Sequence, residues 1–187
     1  MQTKRTFISI DLPPAVIDAL RRLSVKQIYW IKWMKPENLH ITLNFLGDLT
    51  PTEIETAKKI IADTIPFYHP FTLVLAAPRE ERDMLWLEVG DCEALFEMHK
   101  ELKSKLKAER IGKRERWQYH PHILVAKSKT GRLMTILSQP KGQAGGHAWQ
   151  KENFQPLEFK VDRINLYESE LTPGAATHKL IQSFPLG

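Results

Sequence analysis

One stretch alternates apolar and polar positions strictly: Leu39-His40-Ile41-Thr42-Leu43-Asn44-Phe45. A period of two predicts a strand. Leu39, Ile41, Leu43 and Phe45 fall on a face suited to burial. His40, Thr42 and Asn44 fall on the other, an imidazole, a hydroxyl and an amide aimed the same way. A second histidine strand is expected at Tyr119–Val125, where His120 and His122 share a face.

The remaining pattern frames these two strands. Thr6–Ile10 reads as a strand, and Asp11-Leu12-Pro13-Pro14 ends it and opens a helix with Val16, Ala19, Leu20 and Leu23 at helical spacing. Tyr29–Met34 reads as a short strand and Lys35–Asn38 as a turn. Thr50-Pro51-Thr52-Glu53 predicts a helix start with a capping box, backed by an apolar stripe of Ile54, Ala57, Ile61 and Ile65. Phe71–Leu75 and Met84–Val89 read as strands joined by a charged link, Arg79–Asp83. A third helix is expected from about Cys92 to Arg110, with Leu95, Met98, Leu102 and Leu106 inward and Gly112 as its C-cap. Leu133–Leu137 reads as a short helix, Pro140–Gln150 as a glycine-containing mobile loop, and Phe159–Tyr167 and His178–Phe184 as closing strands.

Strands that follow one another without long crossovers imply an α+β fold with antiparallel sheets. Two units of similar content each end in a histidine strand after a helix, the outline of an internal duplication. No linker divides the chain, so residues 1–187 are expected to form one domain.

Composition narrows the setting. Hydrophobic residues at 42% and charged residues at 26% are ordinary for a globular protein with a real core. No apolar run approaches the ~20 residues of a membrane span, and the N-terminus leads straight into a strand, so neither a membrane segment nor a signal peptide is expected. The single cysteine, Cys92, excludes an internal disulfide and fits a reducing cytoplasm. A net charge of +5 suits a polyanionic partner such as RNA.

The histidines carry the candidate chemistry. If His40 and His122 face one cleft, two imidazoles can hold opposite protonation states near neutral pH. One then takes a proton from an attacking water while the other gives one to a departing oxygen. That division suits in-line displacement at phosphorus, with Thr42 as a hydroxyl donor to a phosphate oxygen and with no cofactor or metal required. The other reading makes both half-buried strand histidines with satisfied hydrogen bonds. His120 and His122 could also ligate zinc, but spacing offers no third ligand. His69, His99, His147 and His178 are placed on the surface. Arg114, Arg116, Trp117 and Tyr119 mix charge with aromatics, as phosphate contacts and base stacking would need.

The run Trp33–Gly47 resembles the first signature of the bacterial RNA 2′,3′-cyclic phosphodiesterases, also called 2′-5′ RNA ligases, of the 2H phosphoesterase superfamily. Phe7–Pro13, Leu85–Val89, Pro121-His122-Ile123, Ile164–Ser169 and Phe184–Leu186 resemble further segments of that family, so the resemblance covers nearly the whole chain. It implies a bilobal α+β fold in which two antiparallel sheets with pseudo-twofold symmetry flank a central cleft, with helices on the outside. It also implies hydrolysis of RNA 2′,3′-cyclic phosphate termini to 2′-phosphate, with His40 as proton donor to the leaving 3′ oxygen and His122 as proton acceptor from water, and a weak reverse 2′-5′ ligation. A monomer is the expected state.

The second motif departs from the family pattern. Thr or Ser is expected two residues after the histidine, and Leu124 stands there. His120 and Lys127 are the candidate substitutes, so the substrate-binding set is Thr42, Leu124 and Lys127. Leu124 also leaves open a weakened enzyme that chiefly binds RNA ends. A cyclic nucleotide or an ADP-ribose cyclic phosphate is a further candidate substrate.

Overall fold

The computed structural model describes residues 2–23, 31–81, 83–112, 118–128, 154–172 and 175–187. The expected short helix at 133–137, the loop at 140–150, His147, Arg114, Arg116 and Trp117 lie outside these residues.

Nine strands and three helices are present among the described residues. The strands are β1 (Lys4–Asp11), β2 (Ile31–Trp33), β3 (His40–Leu49), β4 (Phe71–Glu81), β5 (Met84–Val89), β6 (His122–Ser128), β7 (Leu157–Val161), β8 (Arg163–Thr172) and β9 (Ala175–Pro185). The helices are α1 (Pro14–Leu23), α2 (Pro51–Thr64) and α3 (Glu93–Ala108). The fold class is α+β, and every strand pairing is antiparallel.

The strands form one sheet, in the order β7-β4-β5-β6-β3-β1-β8-β9, with β2 added on β6. This corrects the expectation of two separate sheets. The two halves of the sheet join where β3 meets β6, and a single residue pair, Ile41 with Ile123, makes the join. Both isoleucines are fully buried. The two histidine strands are therefore direct neighbours at the seam.

Local signals account for the helices. Thr50 accepts from the Glu53 amide at 3.3 Å, and the Thr50 amide donates to the Glu53 carboxylate at 2.7 Å, the reciprocal capping box. The Thr50 amide and the Thr50 hydroxyl, both donating to the Glu53 carboxylate at 2.7 Å, hold that carboxyl below its usual range. Val16 and Leu20 of α1, Ile54, Ala57 and Ile61 of α2, and Leu95, Met98, Leu102 and Leu106 of α3 all enter one buried cluster with one face of the sheet. The other sheet face is left to carry the polar side chains of the histidine strands.

Two expectations fail at strand ends and irregularities. Phe159–Tyr167 is not one strand. The chain breaks at Asp162, so β7 pairs with β4 while β8 pairs with β1, at opposite ends of the sheet. The charged link after Leu75 is also shorter than expected, because Arg79–Glu81 belong to β4 and pair with β5.

The largest correction concerns β3. Opposite β1, Thr42 pairs with Ser9 but Asn44 pairs with Ile8, so Leu43 is an extra residue, a β-bulge. The bulge inverts the faces beyond Thr42. Asn44 turns into the core, at 4% exposure, and Phe45 turns outward, at 53%. Asn44 thus leaves the polar row in which alternation placed it. His99 of α3, expected at the surface, is buried and holds this irregularity. Its Nδ1–H donates to the Leu43 carbonyl at 2.8 Å, and the Asn44 amide donates to the His99 carbonyl at 3.4 Å. Replacing His99 with alanine orphans a buried carbonyl and leaves space under Tyr119. The expected loss is about 1–3 kcal/mol, read as a lower urea midpoint at unchanged slope.

Candidate active site

The seam fixes the site. Side chains directly across an antiparallel pair share a face, and Ile41 and Ile123 both point into the core. One residue to each side, the opposite face carries His40 across from Leu124 and Thr42 across from His122. The two histidines occupy one diagonal of this quartet, a relation that spaces Cα atoms by about 7–8 Å in a regular ladder. His122 is close enough to add, as the smallest of the causes, to the lowering of the His40 pKa.

Both rings are oriented by the same device. His40 Nδ1–H donates to the Asn38 carbonyl at 2.9 Å, and His122 Nδ1–H donates to the His120 carbonyl at 2.8 Å. In each case the acceptor is two residues upstream, and the bond fixes the tautomer that leaves Nε2 available for chemistry. Thr42 Oγ1 lies 3.1 Å from His40 Nε2, and its hydroxyl donates to the neutral ring.

Aromatic walls flank the pair. His122 stacks on Trp86 with ring centroids 4.0 Å apart. His40 packs on Phe7 at 5.0 Å, and Tyr167 stacks on the Phe7 ring at 5.6 Å. His178, expected at the surface, stands edge-on to His40 at 5.3 Å and to Phe7 at 5.0 Å. It reaches this position because β9 places it opposite Ser169. Sequence reasoning missed it, although a histidine opening a strand-like run is the same signal that marked His40 and His122.

The walls disfavour protonation of both imidazoles. Burial is the main cause of a His40 pKa of about 4, with the neighbouring His178 adding to it and the Asn38 bond opposing it. Burial likewise lowers His122, against the bond to the His120 carbonyl. An unfolded histidine protonates near pH ~6.5. As pH falls below that value, the unfolded chain gains protons that the folded cleft refuses. Stability present above pH ~6.5 is thus lost between there and about pH 4. Urea midpoints measured across this window are expected to fall with pH, and to fall less steeply in His40→Asn.

The remaining candidates separate. Lys127 is exposed and pairs with Met84. A second bulge at Val125, where Leu85 pairs with Ala126 but Trp86 with Leu124, carries Lys127 onto the face of His122 and Leu124. Simple alternation would have put it on the opposite face. His120 instead turns its Nε2 to Glu88, at 3.3 Å, and does not stand in for the hydroxyl missing at Leu124. Tyr119 stacks on His99 at 3.8 Å and donates to the Thr42 carbonyl at 3.2 Å, so it braces the strand. His69 is exposed, as expected. Among the described residues no three His, Cys, Asp or Glu side chains group so as to hold a metal ion, and no helix is long and apolar enough to cross a membrane.

Comparison with known proteins identifies the family and the fold. Residues 11–173 match the profile of the 2′-5′ RNA ligase superfamily. The RNA 2′,3′-cyclic phosphodiesterase of Methanothermobacter thermautotrophicus is 27% identical, over 97% of this chain and 98% of its own length. The enzyme of the same name from Thermotoga maritima is 25% identical, over 95% of this chain and 92% of its own. The crystal structure of Escherichia coli LigT complexed with 3′-AMP superposes with a TM-score of 0.76 over 99% of both chains at 18% identity, a likeness of fold.

Proposed function

From the premise that the chain belongs to the 2′-5′ RNA ligase superfamily, we propose that it hydrolyses the 2′,3′-cyclic phosphate at RNA ends, leaving a 2′-phosphate. One observation carries this reading. Two imidazoles on one sheet face are each tied through Nδ1 to a carbonyl, leaving both Nε2 atoms for a phosphate between them.

His122 takes a proton from water as the water oxygen attacks phosphorus. The bond from phosphorus to the 3′ oxygen breaks, and His40 gives that oxygen a proton. With its pKa lowered to about 4, His40 is neutral beforehand, so the proton it gives has to be acquired. The anionic substrate supplies the drive: negative charge at the cleft offsets the burial that depresses the His40 pKa. Protonation of Nε2 also releases Thr42, whose hydroxyl then donates to a non-bridging phosphate oxygen. Lys127 adds positive charge on the His122 side.

The test is incubation with EDTA and an oligoribonucleotide ending in a cyclic phosphate. A 2′-phosphate product is expected. Recovery of unchanged substrate, or of a 3′-phosphate, overturns the reading.

Leu124 favours a second reading, a protein that binds RNA ends and turns them over poorly. Salt-sensitive RNA binding without product identifies it.

A further inference from the structure

A pocket of about 160 Å³ opens beside His40, away from His122. Its wall is built from neighbouring strands. Asp11 of β1 pairs directly with His40, and its Oδ2 receives the Tyr167 hydroxyl at 2.7 Å and the Asn165 amide at 2.8 Å. Those two donors fix the carboxylate on one oxygen and leave the other oxygen without a protein donor among the described contacts. Two of the six buried side-chain polar atoms without a partner among the described residues belong to lining residues: Ser9 Oγ and His178 Nδ1. Apolar groups, among them Leu12, Ile17 and Leu39, complete the lining. Apolar and polar groups share the lining about equally, and a few convergent, fixed polar groups are what orient a small ligand in such a site.

Charge decides what fits. Asp11 and Glu37 both line the pocket, and two carboxylates repel a phosphate. They accept hydrogen bonds, and a carboxylate can only accept. The group that faces them is therefore a donor and not an anion. Its position follows from the proposed reaction, on which this inference rests. The oxygen protonated by His40 belongs to the terminal ribose, so the terminal nucleoside lies on the His40 side and the attacking water on the other.

We propose that this pocket is a base-reading subsite for the terminal nucleoside, in which Asp11 accepts from an exocyclic amino group. Cytosine, adenine and guanine carry such a group and uracil does not. Tyr167 and Asn165 are positioning residues that aim the carboxylate.

Cytidine and uridine 2′,3′-cyclic phosphates test the proposal, since their bases match in size and differ in the donor. The intact protein is expected to show a kcat/KM about tenfold higher for the cytidine compound, the size of one charge-assisted hydrogen bond. Asp11→Asn, whose amide both donates and accepts, is expected to bring the ratio close to one. Equal rates for the two compounds in the unmodified protein overturn the subsite, as does a ratio that Asp11→Asn leaves unchanged. If Asp11→Asn fails to fold, Tyr167→Phe replaces it: loosening the carboxylate is expected to narrow the ratio, and an unaltered ratio counts against Asp11. Titration with 2′-CMP and 2′-UMP, followed by imidazole NMR, separates the subsite from the chemistry. Tighter 2′-CMP binding without turnover of either cyclic compound keeps the subsite and removes the hydrolysis. Equal binding removes the subsite.

Discussion

Replacing His40 or His122 with alanine is expected to lower kcat on a cyclic-phosphate RNA by about 10²–10⁴, the range for a positioned acid or base. The two changes are not expected to multiply. Acid and base act on one displacement, and groups that work as a unit lose most of their effect with the first removal. The double variant should therefore fall little below the poorer single variant. KM should move less than kcat, because both rings matter most while charge and protons are moving. The single variants also differ in stability. His40 is oriented by Asn38, packed on Phe7 and edge-on to His178, so its truncation opens a space in a packed wall. His122 is half-exposed and has Trp86 on one face, so its truncation leaves melting nearly unchanged. Full activity in the double variant, with an intact fold, ends the two-histidine mechanism.

Leu124→Thr is expected to raise kcat by about tenfold or more. A donor aimed at a developing oxyanion is worth about 10²–10³ when removed from a site built around it, and a restored one recovers part of that. The position is favourable. Leu124 lies across the seam from His40, as Thr42 lies across from His122, so a hydroxyl at 124 would make the quartet symmetric. Leu124 is half-buried beside Trp86, and threonine is smaller, so the change adds a polar atom without crowding. An unchanged rate would identify a donor already in place, and Lys127→Ala should then cost more than a surface charge normally does. His120 is not that donor, because Glu88 holds its Nε2.

The sequence made the seam strands legible up to Thr42. Alternation placed His40 and Thr42 together, and the capping box and helix stripes were read correctly because each depends on residues a few positions apart. What lay beyond was set from a distance. The bulge at Leu43 depends on His99, fifty-six residues away, so Asn44 and Phe45 were assigned to the wrong faces. The bulge at Val125 likewise gave Lys127 its face for reasons absent from its local pattern. His178 joined His40 only through the pairing of β9 with β8 and of β8 with β1. The single sheet was hidden for the same reason, since one isoleucine pair joins its halves.

The wall behind His40 also bears on how the protein is made. Asp11 is held by residues 154 and 156 positions further along the chain. Both histidines of the seam leave the ribosome before the strands that carry Asn165, Tyr167 and His178 have been synthesised. A nascent chain ending before Arg163 thus contains both histidines without the surroundings that orient Asp11 and pack against His40. Pairings of such long range close late and slow folding, so competence arrives with the last strands and not with the histidines.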